Sequence, residues 1–246
     1  MEEPSRPGLL VATDFEFRYR FWLITGFFGV GFSLYGVDHV NVVQLVIDRT
    51  VGPGSSRAAG LTHGLFGFAA LLAVSAASVR TWAAAYLRTA VVQDPNLHVE
   101  ALVADGPYRH TRNPLYLGAM LLALAFGFLA SPSGFVVIVG GLTFFFRRLI
   151  GLEEDRLKRQ QGDRYRDFCR LVPRLWPALA PRLPDGGLAP QWRQAFLGEL
   201  FMWGFALGIV AFAVTLKIAA AWGLIGLAFL SYVVRGYAMR ARRSAR

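Results

Sequence analysis

The residues best suited to chemistry begin with a basic and aromatic stretch at 106–118, GPYRHTRNPLYLG, which leads directly into an apolar run. Asn113 followed by Pro114 is typical of a helix N-cap with proline at the first helical position. The backbone amides of such a helix start, together with Arg109 and Arg112, favour a ligand that carries a carboxylate or phosphate. The alternative interpretation is an ordinary cytoplasmic helix start whose arginines only orient the chain in a membrane.

A second stretch, at 147–154, supplies two carboxylates and two further arginines. Adjacent helical residues point about 100° apart, so Glu153 and Glu154 cannot face one point, and a glycosidase-like carboxylate pair is not expected. Glu154 and Lys158 have the i,i+4 spacing of a solvated ion pair, which leaves Glu153 to face the first stretch. Aromatic rings and a carboxylate attract a cation, while amides and arginines hold an anion. The two stretches together therefore suit a zwitterionic ligand.

Hydrophobic helices must position these stretches. The 246-residue chain is 54% hydrophobic and only 17% charged. Runs of about 20 apolar residues recur in it, which is long enough to cross a hydrocarbon core of about 30 Å. We predict an all-α fold, a polytopic membrane helical bundle with about six transmembrane helices. The predicted spans are approximately 21–47, 60–89, 114–130, 135–152, 195–216 and 218–234.

The basic residues predict how the bundle is oriented. If the N- and C-termini are both cytoplasmic, 23 of the 26 lysines and arginines fall in inside segments and 3 in outside loops, which is the positive-inside pattern. Both candidate stretches then lie on the cytoplasmic side, at the two ends of a helical hairpin closed by the short turn 131–134. Residues 1–20 lack the apolar core of a signal peptide. We expect an integral membrane protein, in the cell inner membrane, with the active site facing the cytoplasm.

Three regions are expected: a two-helix membrane region at 1–90, a core at 91–194, and a transmembrane hairpin with a basic tail at 195–246. Membrane orientation explains the net charge of +10, because the basic residues lie between apolar segments and beside no nucleic-acid motif. We therefore expect the bilayer, and no nucleic acid, as a partner. No HExxH, CxxC, GxSxG or GxxxxGK[ST] pattern occurs, no metal is expected, and the one cysteine, Cys169, is expected to pack.

The order of motifs between 80 and 177 resembles the membrane methyltransferases related to isoprenylcysteine carboxyl methyltransferase and to phospholipid N-methyltransferases. LVADGPY at 102–108 is followed by RNPLYLG, Glu153 and Glu154, then by GDRYRDF and VPR. The resemblance implies S-adenosylmethionine bound at the cytoplasmic end of the hairpin, with S-adenosylhomocysteine as product and no metal. It implies cofactor contacts at Glu100, Leu102, Val103, Tyr108, Asn113, Pro114, Tyr116 and Glu153, to which the helix-start argument adds Arg112.

The resemblance leaves the methyl acceptor open. Prenylcysteine enzymes hold the substrate carboxylate with an arginine four residues before the glutamate that matches Glu153, and this chain has Leu149 there. The nearest arginines are Arg147 and Arg148, which we expect to bind an anionic part of the substrate. Glu153, Glu154 and Arg148 are the expected catalytic residues, with a glutamate removing a proton from an amine or thiol acceptor.

The predicted function is S-adenosylmethionine-dependent methyl transfer to a lipophilic, membrane-associated acceptor: a lipid amine, an isoprenoid-type carboxylate or a small thiol. Methyl transfer from a sulfonium depends on in-line positioning more than on acid–base groups. One alternative is a membrane transporter or channel that uses Asp38 and His39, which are costly ionisable groups in the first predicted span. Another is a catalytically inactive structural relative.

Overall fold

The computed structural model describes residues 9–52, 54–87 and 104–230, and within these ranges the chain forms helices, turns and loops and no strand. The predicted all-α class is confirmed for this part of the chain. A short 3₁₀ turn, Gly106–Arg109, precedes the helix that begins at Pro114. The helices, numbered here in chain order, are α1 Asp14–Arg18, α2 Arg20–Ser33, α3 Tyr35–Asp38, α4 Val42–Thr50, α5 Ala58–Tyr86, α6 Pro114–Leu129, α7 Pro132–Gln161, α8 Asp163–Leu171, α9 Trp192–Gly198, α10 Leu200–Thr215 and α11 Ile218–Leu230.

Three helical segments are long and apolar enough to cross a membrane: Arg20–Asp38, which combines α2 and α3, then α5 and α7. Helices α9 and α10 pass the same test together but are bent by 64°, while α6 and α11 are shorter apolar helices. Only 6% of the apolar window in Arg20–Asp38 is buried. An apolar surface of that extent is typical of a membrane or partner contact. By length and composition the described residues thus give three spans, or four if the bent pair is one span.

The first predicted span, 21–47, is interrupted in the structure. The helical segment ends at Asp38, and His39 adopts a left-handed backbone conformation with φ of 56°. Helix α4 then begins at Val42, after Asn41, whose side chain caps it. Asparagine is among the preferred N-cap residues because its side-chain oxygen satisfies a free backbone amide. Asp38 and His39, the ionisable residues of the first predicted span, therefore lie at the junction of two helices.

Helix α7 begins earlier than predicted, at Pro132, because the Ser131 side chain accepts a hydrogen bond from Gly134 N at 3.2 Å and caps the new helix. It contains a π-helical part, Val136–Gly141, and then continues to Gln161. The prediction that an apolar helix runs on into the charged stretch at 153–159 is confirmed. Glu153 and Glu154 therefore lie on the same continuous helix that forms the second half of the hairpin.

Helix α6 lies at the centre of the packing. On one side it packs against α5 and α10 through a cluster that includes Leu122 and Ala125. On the other side it packs against α2 and α7 through a cluster that includes Ala123 and Ala130. At Gly118 a Cβ atom would lie 2.5 Å from Arg80 Cγ, so the absence of a side chain allows the close approach of α5. The N-terminal end of α6 is thereby fixed against both neighbouring helices.

Candidate functional site

The two stretches singled out in the sequence meet in the structure. The Tyr116 hydroxyl, in the first turn of α6, donates a hydrogen bond to Glu153 Oε1 on α7 at 2.6 Å. The Tyr116 ring packs against Phe146, with 5.7 Å between ring centroids. The predicted proximity of the two stretches is confirmed, and Glu153 faces the hairpin as expected. A ring and a carboxylate in this arrangement can attract a cation.

Glu154 is the centre of a buried polar cluster. Its side chain is 6% exposed, and its Oε1 atom accepts hydrogen bonds from Arg112 Nε at 3.1 Å and Asn113 Nδ2 at 3.3 Å. Arg174 Nε lies 3.1 Å from the other carboxylate oxygen. Because a buried carboxylate is costly unless it is paired and hydrogen-bonded, this cluster holds the loop before α6 against α7.

Two expectations about local contacts are wrong for this reason. Glu154 does not form a solvated pair with Lys158, whose Nζ instead lies 3.7 Å from Asp155 Oδ1. Asn113 precedes α6 as predicted and Pro114 is the first helical residue, but the Asn113 side chain makes no capping hydrogen bond. Its amide donates to Glu154 and, at 2.8 Å, to the carbonyl of Arg174. The buried Glu154 carboxylate is therefore paired with Arg112 and Asn113, and not with Lys158.

The chain after α8 covers the loop at 104–113. Asp105 is buried, and its carboxylate accepts hydrogen bonds from the backbone amides of Gly186 at 2.7 Å and Leu188 at 2.9 Å. Three backbone hydrogen bonds extend this cover: Arg112 N to Pro173 O, Ala178 N to His110 O, and Arg182 N to Arg109 O. Residues 173–188 therefore pack on the loop that leads into the candidate site.

Tyr108 and Arg109 lie in the 3₁₀ turn, and the structure separates their roles. Tyr108 is 8% exposed. Burial raises the pKa of its hydroxyl, on which the charges of Arg80, Glu153 and Glu199 also act, so Tyr108 stays protonated at neutral pH. The Arg109 side chain instead donates hydrogen bonds to residues of the segment after α8, to Leu183 O at 2.8 Å and to an Asp185 oxygen at 3.3 Å.

The two expected substrate-binding arginines have different surroundings. Arg148 forms a bidentate ion pair with Glu16 of α1, at 3.1 and 2.8 Å, and also contacts the carbonyl of Leu9. These hydrogen bonds hold the pKa of Glu16 below its ordinary value. Arg147 is exposed. Leu149 is fully buried, so within residues 147–149 only Arg147 is exposed.

Sequence reasoning missed an ion pair that joins three helices. Arg80 on α5 pairs with Glu199 at the α9–α10 bend through contacts of 2.7 and 3.1 Å, and also donates to Leu115 O at the start of α6. Glu199 is 2% exposed. The available signal was two charged residues inside otherwise apolar runs, because such residues must find partners when the helices pack.

Asp38 and His39, the basis of the transporter alternative, are also placed. The Asp38 carboxylate accepts hydrogen bonds from Ser133 N at 2.8 Å and Ser133 Oγ at 3.1 Å, which ties α3 to the start of α7. His39 is exposed.

Burial raises the pKa of the Cys169 thiol, which makes it a weaker nucleophile at neutral pH.

Three expected cofactor contacts, Glu100, Leu102 and Val103, lie outside the described residues. Within 9–52, 54–87 and 104–230, no group of three or more histidine, cysteine, aspartate or glutamate side chains is placed to hold a metal ion. The site that the structure does describe is a cluster of tyrosine, carboxylate and arginine at the N-terminal end of α6.

In the part of the chain that the structure describes, these features define an all-helical fold with three helices able to cross a membrane, or four if α9 and α10 form one span, and a polar cluster at one end of the central hairpin. No protein-family model, curated protein or solved structure matches the chain.

Proposed function

We propose that the chain is a membrane methyltransferase that uses S-adenosylmethionine to methylate a lipophilic, membrane-associated acceptor. The single observation that carries the proposal is the 2.6 Å contact between Tyr116 and Glu153. It places an aromatic ring and a carboxylate at the ends of two helices joined by a short turn. Such a pair suits a cationic centre. The resemblance of 80–177 to the membrane methyltransferases supports the same assignment.

We further propose six spans, with both termini and the site on the cytoplasmic side of the cell inner membrane. The bias of basic residues supports this orientation. Each predicted span corresponds to at least one apolar helix. Arg80, Glu153, Glu154 and Glu199 belong to polar contacts around the start of α6, which is consistent with a headgroup-level layer at one membrane face.

The described residues fit the proposed ligand in part. Tyr108, Tyr116 and Glu153 offer two aromatic rings and a carboxylate, which suit the sulfonium and ammonium groups of S-adenosylmethionine. When bound, that ligand supplies an electrophilic methyl group. The polar groups of Arg112 and Asn113 are engaged with Glu154, so we assign these two residues to positioning the loop, and not to direct contact with the ligand.

Glu153 is also the best-placed group to move a proton. A carboxylate within reach of an amine or thiol acceptor can remove its proton during methyl transfer. The hydrogen bond from Tyr116 fixes the orientation of that carboxylate. Arg147, which is exposed and lies six residues before Glu153 on the same helix, is available for an anionic headgroup. A carboxylate acceptor would need no base.

Titration of the purified protein with S-adenosylhomocysteine by calorimetry tests the proposal. We expect saturable binding to the wild type and binding at least tenfold weaker to Tyr116→Ala and Glu153→Ala. Asp155→Asn is the matched control, because Asp155 is on the same helix and its carboxylate pairs with the neighbouring Lys158. Absence of binding to the wild type, or equal binding by all four proteins, would refute the assignment.

Incubation with labelled S-adenosylmethionine and total membrane lipid then identifies the acceptor. A methyl ester is lost on mild base treatment, whereas a methylated amine or thiol survives it. The chemical stability of the labelled product therefore separates a carboxylate acceptor from a lipid amine or thiol. Label that never enters an organic-extractable product would contradict a lipophilic acceptor.

A further inference from the structure

A groove lies outside the candidate site, between α5 and the α9–α10 bend. Its volume is about 390 Å³, and its walls include the aromatic side chains of Trp82, Trp192, Phe196 and Trp203. Trp203 Nε1 donates a hydrogen bond to Thr81 Oγ1 at 2.9 Å, so the polar atom of this ring is satisfied within the protein. The volume falls in the range of about 300–1,000 Å³ that is usual for small-molecule sites.

The fold builds this groove by holding α9 away from the axis of α10. The two helices meet at 64°. The start of α9 is fixed by a hydrogen bond of 2.7 Å from Gln191 N to Ala85 O, and its middle is fixed by Ala195, buried against Ala84 and Ala85. The ion pair of Arg80 and Glu199 fixes the bend. The groove is therefore preformed.

A second cavity, of about 430 Å³, adjoins the first. Trp192 lines both cavities, and the second is also lined by Gln191, Arg193 and Gln194. Arg193 is exposed. The two share Trp192, so the aromatic groove lies beside a polar surface that carries the positive charge of Arg193. This is the pattern of an amphiphile site, with a place for a hydrocarbon chain and a place for an anionic group.

We propose that this surface binds a bilayer lipid with an anionic headgroup, with one acyl chain in the groove and the headgroup phosphate at Arg193. Tryptophan is enriched where protein crosses the membrane–water interface, and Trp192 and Phe196 are 45% and 47% exposed. Charge complementarity selects an anionic lipid over a neutral one. The inference rests on the proposed membrane location but does not depend on methyl transfer.

The groove also borders the candidate site. The Trp82 ring lies 5.9 Å from the His110 ring, centroid to centroid, and His110 belongs to the loop that leads into α6. His110 is itself held by Ala178 O at 2.8 Å. Trp82 therefore lies between the groove and the loop that carries Tyr108 and Arg112.

Quenching of tryptophan fluorescence tests the inference. The full-length protein in neutral detergent is titrated with brominated-chain phosphatidylglycerol and, separately, with brominated-chain phosphatidylcholine. We expect saturable quenching with half-saturation at about fivefold less phosphatidylglycerol, which is the effect of one arginine at a membrane surface. Arg193→Gln should abolish this difference. Lys217→Gln, which removes one exposed charge beyond the far end of α10, should keep it.

Filling the groove provides the second arm. Ser78 is exposed and lines the groove, so Ser78→Phe should remove the saturable phase and leave the background from tryptophans elsewhere. If Ser78→Phe does not fold, Trp192→Ala removes one wall of the groove instead and should weaken binding, followed through Trp82 and Trp203, at least threefold. Equal half-saturation for the two lipids in the wild type, or unchanged saturable quenching in the groove variants, would overturn the proposal. S-adenosylhomocysteine binding is measured separately, so failure of either proposal is visible by itself.

Discussion

Tyr116 and Glu153 are 37 residues apart in the chain, yet the Tyr116 hydroxyl donates a hydrogen bond to Glu153 Oε1 at 2.6 Å. The contact joins the first turn of α6 to α7, near the point where the apolar part of α7 gives way to its charged part. One residue further along α7, Glu154 joins the same helix to the loop before α6. Two consecutive glutamates thus hold the polar end of the hairpin by separate contacts.

The Tyr116–Glu153 contact should be measurable as a coupling energy. Hydrogen bonds to a charged group contribute about 1.5–3 kcal/mol. A double-mutant cycle of Tyr116→Phe and Glu153→Gln should therefore give a coupling of about that size. The measurement is the free energy of unfolding in mixed micelles. Asp155→Asn combined with Tyr116→Phe is the control pair, and it should show additive effects.

Removal of the Glu154 carboxylate should be far more damaging than removal of a surface carboxylate. Glu154→Ala leaves the charges of Arg112 and Arg174 without their carboxylate, and breaking a buried pair costs about 3–5 kcal/mol. Asp167→Asn removes a pair with Arg170 whose side chains are 64% and 79% exposed, and should cost less than about 1 kcal/mol. Denaturant unfolding of both variants measures the difference. Similar losses would contradict the structural role assigned to Glu154.

Gly118 should not accept a side chain, whereas Gly67 should. A Cβ atom at Gly118 would lie 2.5 Å from Arg80 Cγ and 2.9 Å from Ala76 O, and one at Gly67 would meet nothing within 4 Å. Because the carbonyl of Ala76 is backbone and cannot turn aside, Gly118→Ala should destabilise the protein by about 1–3 kcal/mol. Gly67→Ala should be neutral or stabilise α5 by up to about 1 kcal/mol. Thermal unfolding of the two variants checks the comparison.

The contact of Glu16 with Arg148 predicts a pH dependence with a defined sign. Arg148 lowers the pKa of Glu16 in the folded protein relative to the unfolded chain. The stabilisation is therefore fully present above the unfolded pKa of about 4.3, and it is lost as the pH falls through the lower, folded pKa. Unfolding free energies should fall more steeply below about pH 4 in the wild type than in Glu16→Gln. Parallel curves for the two proteins would contradict the ion pair.

The sequence alone determined the helical class, the positions of most helices and the pair of stretches that meet. Hydrophobic runs predicted α5 and α6 within a few residues, and the continuation of α7 into its charged end was also predicted, whereas the single span predicted at 195–216 is divided between α9 and α10 by a 64° bend. These features are local, because they depend on periodicity, on proline at the first helical turn and on the cost of exposing backbone polar groups. The short turn between α6 and α7 was enough to place Tyr116 near Glu153.

Only the tertiary structure decided which polar groups pair with which. Spacing along α7 favoured Glu154 with Lys158, but burial directs Glu154 to Arg112 and Asn113. The partner of Arg80, Glu199, is 119 residues away, and no local pattern identifies it. The physical reason is that a charge removed from water must find a partner within a few ångströms, and helix packing, not sequence distance, determines which groups are that close.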